Sequence, residues 1–123
     1  MKNFSRQRET VLSVLRSTDT HPTADWVYSE ARKILPNISL GTVYRNLSDL
    51  SRSGEILSID VGDGKEHFDG NPAPHLHLYC KNCSTIIDAK LKTDPFLGVC
   101  ADLNFVPKTP VYLIYGYCED CDK

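Results

Sequence analysis

Twenty residues, Asp69 to Asp88 (DGNPAPHLHLYCKNCSTIID), hold a carboxylate at each end, two histidines at alternate positions and a Cys-x-x-Cys pair. Every one of these side chains binds divalent cations. A second Cys-x-x-Cys pair follows at Cys118 and Cys121. Two such pairs supply four thiolates suited to a tetrahedral zinc ion, and the two-residue gap lets both sulfurs of a pair face one metal. With all four positions filled by protein, Cys80, Cys83, Cys118 and Cys121 are expected to hold one structural zinc per subunit. Zinc binding of this kind is worth ~10–16 kcal/mol in small peptides, enough to keep a very small module folded.

Asp69, His75, His77 and Asp88 make a second set. Residues two apart in a strand share a face, so His75 and His77 would aim both imidazoles at one ion, whereas Cys80, three beyond His77, faces the other way. The two sites are therefore expected to be distinct. Nitrogen and carboxylate donors suit Fe(II), Mn(II) or Zn(II). Two histidines in a polar strand are as often ordinary surface residues; the flanking carboxylates favour a site. His67 alternates with Asp69 and is a reserve ligand, a solvated hairpin position being its commoner role. His21, beside Pro22 and far upstream, reads as a loop residue. Cys100, among Leu97, Val99 and Leu103, reads as a small buried thiol.

The elements that must position these residues change character along the chain. Residues 5–17 carry an apolar stripe at Val11, Leu12, Val14 and Leu15 and predict a helix capped by Ser5. A second helix follows Thr23, a good N-cap, with Trp26, Val27, Ala31 and Ile34 as its buried face and Pro36-Asn37 as its end. Ser39 caps a third, LGTVYRNLSDLSRS, with Val43, Leu47 and Leu50 in the core and Gly54 just past its end. Then EILSIDVGDGKEHFD reads as a hairpin turning at Val61 to Gly64. Three helices and a two-stranded hairpin are the order of a winged helix-turn-helix, in which the third helix enters the DNA major groove. Ser39, Thr42, Tyr44 and Arg45 are the candidate DNA contacts: Arg45 can read guanine, and Thr42 and Tyr44 can touch a thymine methyl or a phosphate.

The predicted organisation is α+β: a winged-helix DNA-binding domain at 1–69, a Pro-rich hinge at 70–74, and a small α/β dimerisation domain at 75–123 that carries the four-cysteine zinc site. Within the last, His75–Tyr79, Thr85–Asp88 and Val111–Tyr117 are expected strands and Thr93–Leu103 a helix. The net charge is −2, but residues 1–53 sum to +3 and residues 54–123 to −5. A mildly basic front and an acidic back suit a DNA reader joined to a cation-binding module, although scattered surface charge accounts for the split equally well. No apolar run approaches the ~18 residues of a membrane span, and the N-terminus lacks the apolar core of a signal peptide. A cytoplasmic protein with reduced thiols is expected.

Together, HPTADWVYSEARKILPNISLGTVYRNLSDLSRSGEI, HFD, HLHLYCKNC with TIID, and YGYCEDC resemble the ferric uptake regulator family of bacterial metal-dependent repressors, in the family's order and over nearly the whole chain. The chain looks most like the peroxide-sensing branch. That resemblance implies a regulatory Fe(II) or Mn(II) site made of His21, Asp69, His75, His77 and Asp88, and so promotes His21 to a ligand. Asp69 is informative, because iron-sensing members more often carry Glu there. The resemblance also implies a homodimer, a double-stranded DNA operator, and release of DNA when peroxide oxidises a ligand histidine such as His21 or His75. Three departures stand out: no helix precedes the SRQR segment, Gly41 replaces the usual Ala, and no histidine follows His77. Two other readings compete: an iron-, zinc- or manganese-uptake regulator of the same fold without peroxide chemistry, and, more remotely, an enzyme using a Cys-x-x-Cys as a dithiol. We expect no enzymatic activity.

Overall fold

The computed structural model describes residues 2–73, 75–107 and 111–122. By its contacts the chain divides into two compact units, Met1–Pro72 and Ala73–Lys123. Pro74, the last residue of the expected hinge, lies outside the described residues.

In the first unit the apolar stripes become three mutually packed helices, α1 (Lys2–Arg16), α2 (Ala24–Arg32) and α3 (Leu40–Arg52). The helix α1 begins upstream of Ser5, which therefore lies within it instead of capping it. Val11, Val14 and Leu15 of α1, Val27 and Ala31 of α2, and Val43, Leu47 and Leu50 of α3 share one core with Ile56 and Phe68. Two expected core residues of α2 are outside it: Trp26 is 38% and Ile34 53% exposed. The buried positions of α2 are Ala24, Val27 and Ala31, an i, i+3, i+7 line; Trp26 is a third of a turn off that line, and Ile34 follows the helix end.

Caps set where these helices start and stop. Thr23 occupies the N-cap position of α2 without a side-chain cap bond. Ser39 does cap α3, its Oγ accepting the Thr42 N–H at 3.1 Å. Gly54, at φ +82°, closes α3 in the left-handed conformation, and the Glu55 N–H reaches back to the Leu50 carbonyl at 3.0 Å. The hairpin follows as β1 (Leu57–Asp60) and β2 (Glu66–Asp69), antiparallel, with Leu57 opposite Asp69 and Asp60 opposite Glu66. The chain leaves β2 through Gly70, where a Cβ would stand 3.1 Å from the Arg16 Cα and 3.2 Å from its nitrogen. A side chain here would press on the backbone at the end of α1, and glycine relieves that close approach.

The second unit is a three-stranded sheet of β3 (Leu76–Cys80), β4 (Ile86–Ala89) and β5 (Tyr112–Gly116), in the order β4-β3-β5. The β3–β4 pair is antiparallel and sets His77 opposite Asp88; β5 runs parallel to β3, with Cys80 opposite Gly116. The expected helix at 93–103 is shorter, α4 (Leu97–Asp102). Its upstream part is a turn in which Asp94 Oδ1 accepts the Phe96 N–H at 2.8 Å, using the carboxylate to bond the backbone locally. Asp94 also accepts a hydrogen bond from the Tyr112 hydroxyl, which pushes that phenol up to about 12. None of α4 is buried: Leu97, Val99 and Leu103 are more than half exposed, and Cys100 is half-buried where a buried thiol was expected. The short helix has too little chain around it to cover its apolar side.

Candidate metal centres and DNA-facing helix

The four paired cysteines converge. Cys80 ends β3, Cys83 follows the tight turn after it, and Cys118 and Cys121 follow β5, the parallel neighbour of β3. The register that sets Cys80 beside Gly116 therefore brings both pairs to one end of the sheet. Their sulfurs all lie within 4.8 Å of one another, and none is in a disulfide. Sulfurs bound ~2.3 Å from a tetrahedral zinc stand about 3.8 Å apart; Cys83 Sγ and Cys118 Sγ are 3.8 Å apart.

Backbone amides are aimed at the same cluster. The N–H groups of Cys83 and Cys118 donate to Cys80 Sγ at 3.5 and 3.4 Å, and they pull that thiol down to about 6. Cys83 is also lowered, first by its contact with the Thr85 hydroxyl at 3.1 Å. Cys118 goes the other way, to about 12, first because its thiol hydrogen-bonds the Cys121 sulfur, which favours the protonated form. Four sulfurs this close cannot all ionise without a cation among them, and two are already biased toward the thiolate. Donor type, spacing and charge all fit zinc.

The other candidate ligands fall in both units. In the first, His21 and Asp69 are buried and His21 Nε2 lies 3.3 Å from Asp69 Oδ2. Asp69 Oδ1 accepts the Asn71 N–H at 2.9 Å, which fixes the carboxylate's orientation. In the second, His75 Nε2 and His77 Nε2 lie 3.1 and 3.3 Å from the same oxygen, Asp88 Oδ1. The two imidazoles are 4.2 Å apart between ring centres. His75 Nδ1 bonds the Ala73 carbonyl at 2.7 Å, so its Nε2 is the nitrogen presented to Asp88. Donor atoms bound ~2.1 Å from one ion stand about 3.0 Å apart in an octahedron and 3.4 Å in a tetrahedron. Both clusters fall within that range.

His67 is not a ligand in waiting. Its Nδ1 is 2.8 Å from the His21 carbonyl oxygen and its Nε2 2.7 Å from Asp63 Oδ2, so both ring nitrogens are engaged in hydrogen bonds. The sequence reading missed this pairing; a loop carboxylate four residues before a strand histidine was the available signal.

The four candidate DNA contacts cluster at the start of α3. Ser39 Oγ donates to Thr42 Oγ1 at 2.9 Å, and Arg45 donates to the same oxygen at 3.0 Å. Tyr44 and Arg45 are exposed. The same face continues through Ser48 and Arg52, whose guanidinium donates to Ser48 Oγ at 3.0 Å. The sequence reading left these two out, although their spacing from Arg45 is helical.

The ferric uptake regulator family model matches residues 2–94. The peroxide-responsive repressor of Staphylococcus aureus is 31% identical, over 94% of this chain and 79% of that protein. Among solved structures, the Campylobacter jejuni peroxide stress regulator superposes with a TM-score of 0.83 at 30% identity, covering 97% of this chain and 91% of that one. The Helicobacter pylori ferric uptake regulator superposes with a TM-score of 0.77 at 24% identity, over 97% of this chain and 84% of that one, a likeness of fold.

Proposed function

Because the chain belongs to the ferric uptake regulator family, we propose that it is a metal-dependent DNA-binding transcriptional repressor that responds to peroxide. The observation that carries this reading is the pairing of two donor sets, buried except for the exposed Asp88. His21 with Asp69, and His75 and His77 with Asp88, each have ligand-like spacing, and each falls short of a full coordination shell. In the proposed mechanism the five residues hold one regulatory Fe(II) or Mn(II). His21 and Asp69 follow the chain of the DNA-binding domain (1–69), while His75, His77 and Asp88 belong to the dimerisation domain (75–123), across the hinge at 70–74. An ion held by both sets favours the closed form only by its greater affinity for it.

The remaining parts follow from the same reading. Cys80, Cys83, Cys118 and Cys121 hold one structural zinc per subunit, so they do not serve as an enzymatic dithiol. Ser39, Thr42, Tyr44 and Arg45 contact double-stranded operator DNA, Arg45 being the base reader. Exposed Leu97, Val99, Leu103, Phe105, Val106 and Ile114 form the homodimer contact. The dimer presents two copies of α3 to half-sites about one helical turn apart. Among the described residues no helix is long and apolar enough to cross a membrane, in keeping with a cytoplasmic regulator.

Iron(II), if held here, would supply the electrons that reduce peroxide, chemistry that manganese(II) would not supply. In this reading His21 and His75 are the imidazoles that take up the oxygen atom, and an oxidised ring would bind the ion less well. The test is peptide mass mapping of Fe(II)- and Mn(II)-loaded protein after low peroxide, with DNA binding followed in parallel. One added oxygen on His21 or His75, with iron only and with DNA release, is expected. Unmodified histidines with DNA binding intact would leave a metal-uptake regulator and remove the peroxide step.

A further inference from the structure

His21 sits in an unfavourable backbone conformation. Its φ is +55°, in the left-handed region, and Pro22 follows it. Residues with a Cβ avoid that region, and the proline ring that follows restricts the backbone of His21 further. A turn of this type persists only where its surroundings hold it. Here two adjacent residues of β2 meet two consecutive carbonyls of the turn. The Phe68 N–H donates to the Pro22 carbonyl at 2.9 Å, and the His67 imidazole reaches the His21 carbonyl at 2.8 Å.

The two bonds differ in kind. The first comes from backbone and would survive most substitutions, and Phe68 itself is locked in the core. The second exists only because residue 67 carries a donor at the right length. A carbonyl can only accept, so Nδ1 carries the hydrogen. At the opposite edge of the ring, Nε2 meets Asp63 Oδ2 at 2.7 Å, and Asp63 Oδ1 in turn accepts the Lys65 N–H at 3.0 Å. That contact with His67 also holds the Asp63 carboxyl below the usual carboxylate range. The imidazole is therefore fixed at both ends, between the hairpin loop and the His21 turn.

We propose that His67 is a positioning residue for the regulatory metal site: its imidazole clamps the His21 turn in the conformation that presents the His21 ring, and anchors that turn to the hairpin loop through Asp63. The inference rests on the reading of His21 as a regulatory ligand. A residue that orients a metal ligand typically changes metal affinity by 10–100-fold when lost. The chemistry also separates His67 from a bystander. An asparagine amide can replace Nδ1–H, whereas a glutamine amide falls at the position of Nε2 and reaches toward Asp63 instead.

The experiment uses the full-length zinc-loaded protein with His67→Asn, His67→Gln, His67→Ala and His21→Ala. Three readouts are taken: Mn(II) affinity by electron paramagnetic resonance titration, bound zinc, and the backbone coupling constant and carbon shifts of residue 21 before Mn(II) is added. His67→Gln and His67→Ala are expected to weaken Mn(II) binding about 10–100-fold and to lose the left-handed signature at His21, with zinc unchanged. His67→Asn is expected to keep that signature and bind within a few-fold of the parent. If His67→Asn is as weak as His67→Ala, the ring matters only as packing and the proposal fails. If His67→Gln and His67→Ala bind Mn(II) like the parent while His21→Ala does not, the regulatory site stands and the clamp does not. If His21→Ala also binds like the parent, the regulatory-site reading fails and the clamp with it.

Discussion

Replacing Ser39 separates the stability of α3 from its use on DNA. Ser39 Oγ accepts the Thr42 N–H and donates to Thr42 Oγ1, which also accepts from Arg45. Ser39→Ala removes the cap, at a cost of ~1 kcal/mol. For a transition the size of the first unit that lowers Tm by about 4–8 °C. Ser39→Asp keeps a cap acceptor and adds a negative charge favourable to the helix dipole, so its Tm should stay near that of the parent. The same charge lies where the proposed helix meets the DNA backbone. A like charge ~4 Å from a phosphate costs up to about 4 kcal/mol at an effective dielectric of 20, before screening by salt. Even a third of that weakens binding about tenfold.

The assay is a thermal melt of each variant paired with fluorescence anisotropy on a duplex selected from a random library with Mn(II)-loaded parent protein. The expected pattern is crossed: Ser39→Ala melts lower and retains most DNA binding, and Ser39→Asp melts normally and loses at least tenfold. An aspartate variant that binds as tightly as the parent at low salt would show that the start of α3 does not approach DNA. An alanine variant with unchanged Tm would show that the cap contributes nothing.

Other consequences can be checked directly. Leu47 is fully buried in the helical core, so Leu47→Ala should cost about 2–5 kcal/mol in chemical denaturation; a loss well under 1 kcal/mol would contradict the packing. Gly70→Ala drives a Cβ against the Arg16 backbone and should cost about 1–3 kcal/mol, whereas an unchanged melt would show that the end of α1 yields. In zinc-stripped protein near neutral pH, iodoacetamide should label Cys83 well before Cys118, read by peptide mass mapping. The thiolate is the reacting form, Cys83 is lowered and exposed, and Cys118, pushed up to about 12, stays protonated. Zinc-loaded protein should resist labelling at both, and preferential labelling of Cys118 would overturn the assignment of charge within the cluster.

Much of this was legible before folding was considered. The apolar periods of residues 11–15, 27–31 and 43–50 became the three packed helices, because a 3.6-residue stripe has only one way to leave water. The spacing of each Cys-x-x-Cys pair marked all four cysteines as candidate ligands, and their sulfurs do converge. Where the periodicity was weaker, the reading slipped. Trp26 and Ile34 were placed inside because they are large and apolar, but only Ala24, Val27 and Ala31 lie on the line that faces α1 and α3. The helix expected from Thr93 starts at Leu97 because Asp94 bonds its own backbone first. Cys100 was expected to be buried with its apolar neighbours, and instead the whole of α4 lies at the surface of the isolated chain.

The sequence by itself determined which atoms are available: four soft sulfurs for a tetrahedral metal, imidazoles and carboxylates for a harder one, and a capped helix carrying Arg45. Their types and short spacings follow from local geometry, which a strand or a tight turn fixes within a few residues. Tertiary structure decided which of them meet. The β3–β4 register set one Asp88 oxygen within reach of both His75 and His77, and the parallel pairing of β5 with β3 carried Cys118 to Cys80. The fold also placed His67 of β2 against the carbonyl of His21, forty-six residues earlier. No periodicity encodes such a meeting, because it depends on how separate elements pack once their apolar faces are buried, and it was there that His67, a hairpin residue held in reserve as a ligand, was found bonded to the His21 carbonyl instead.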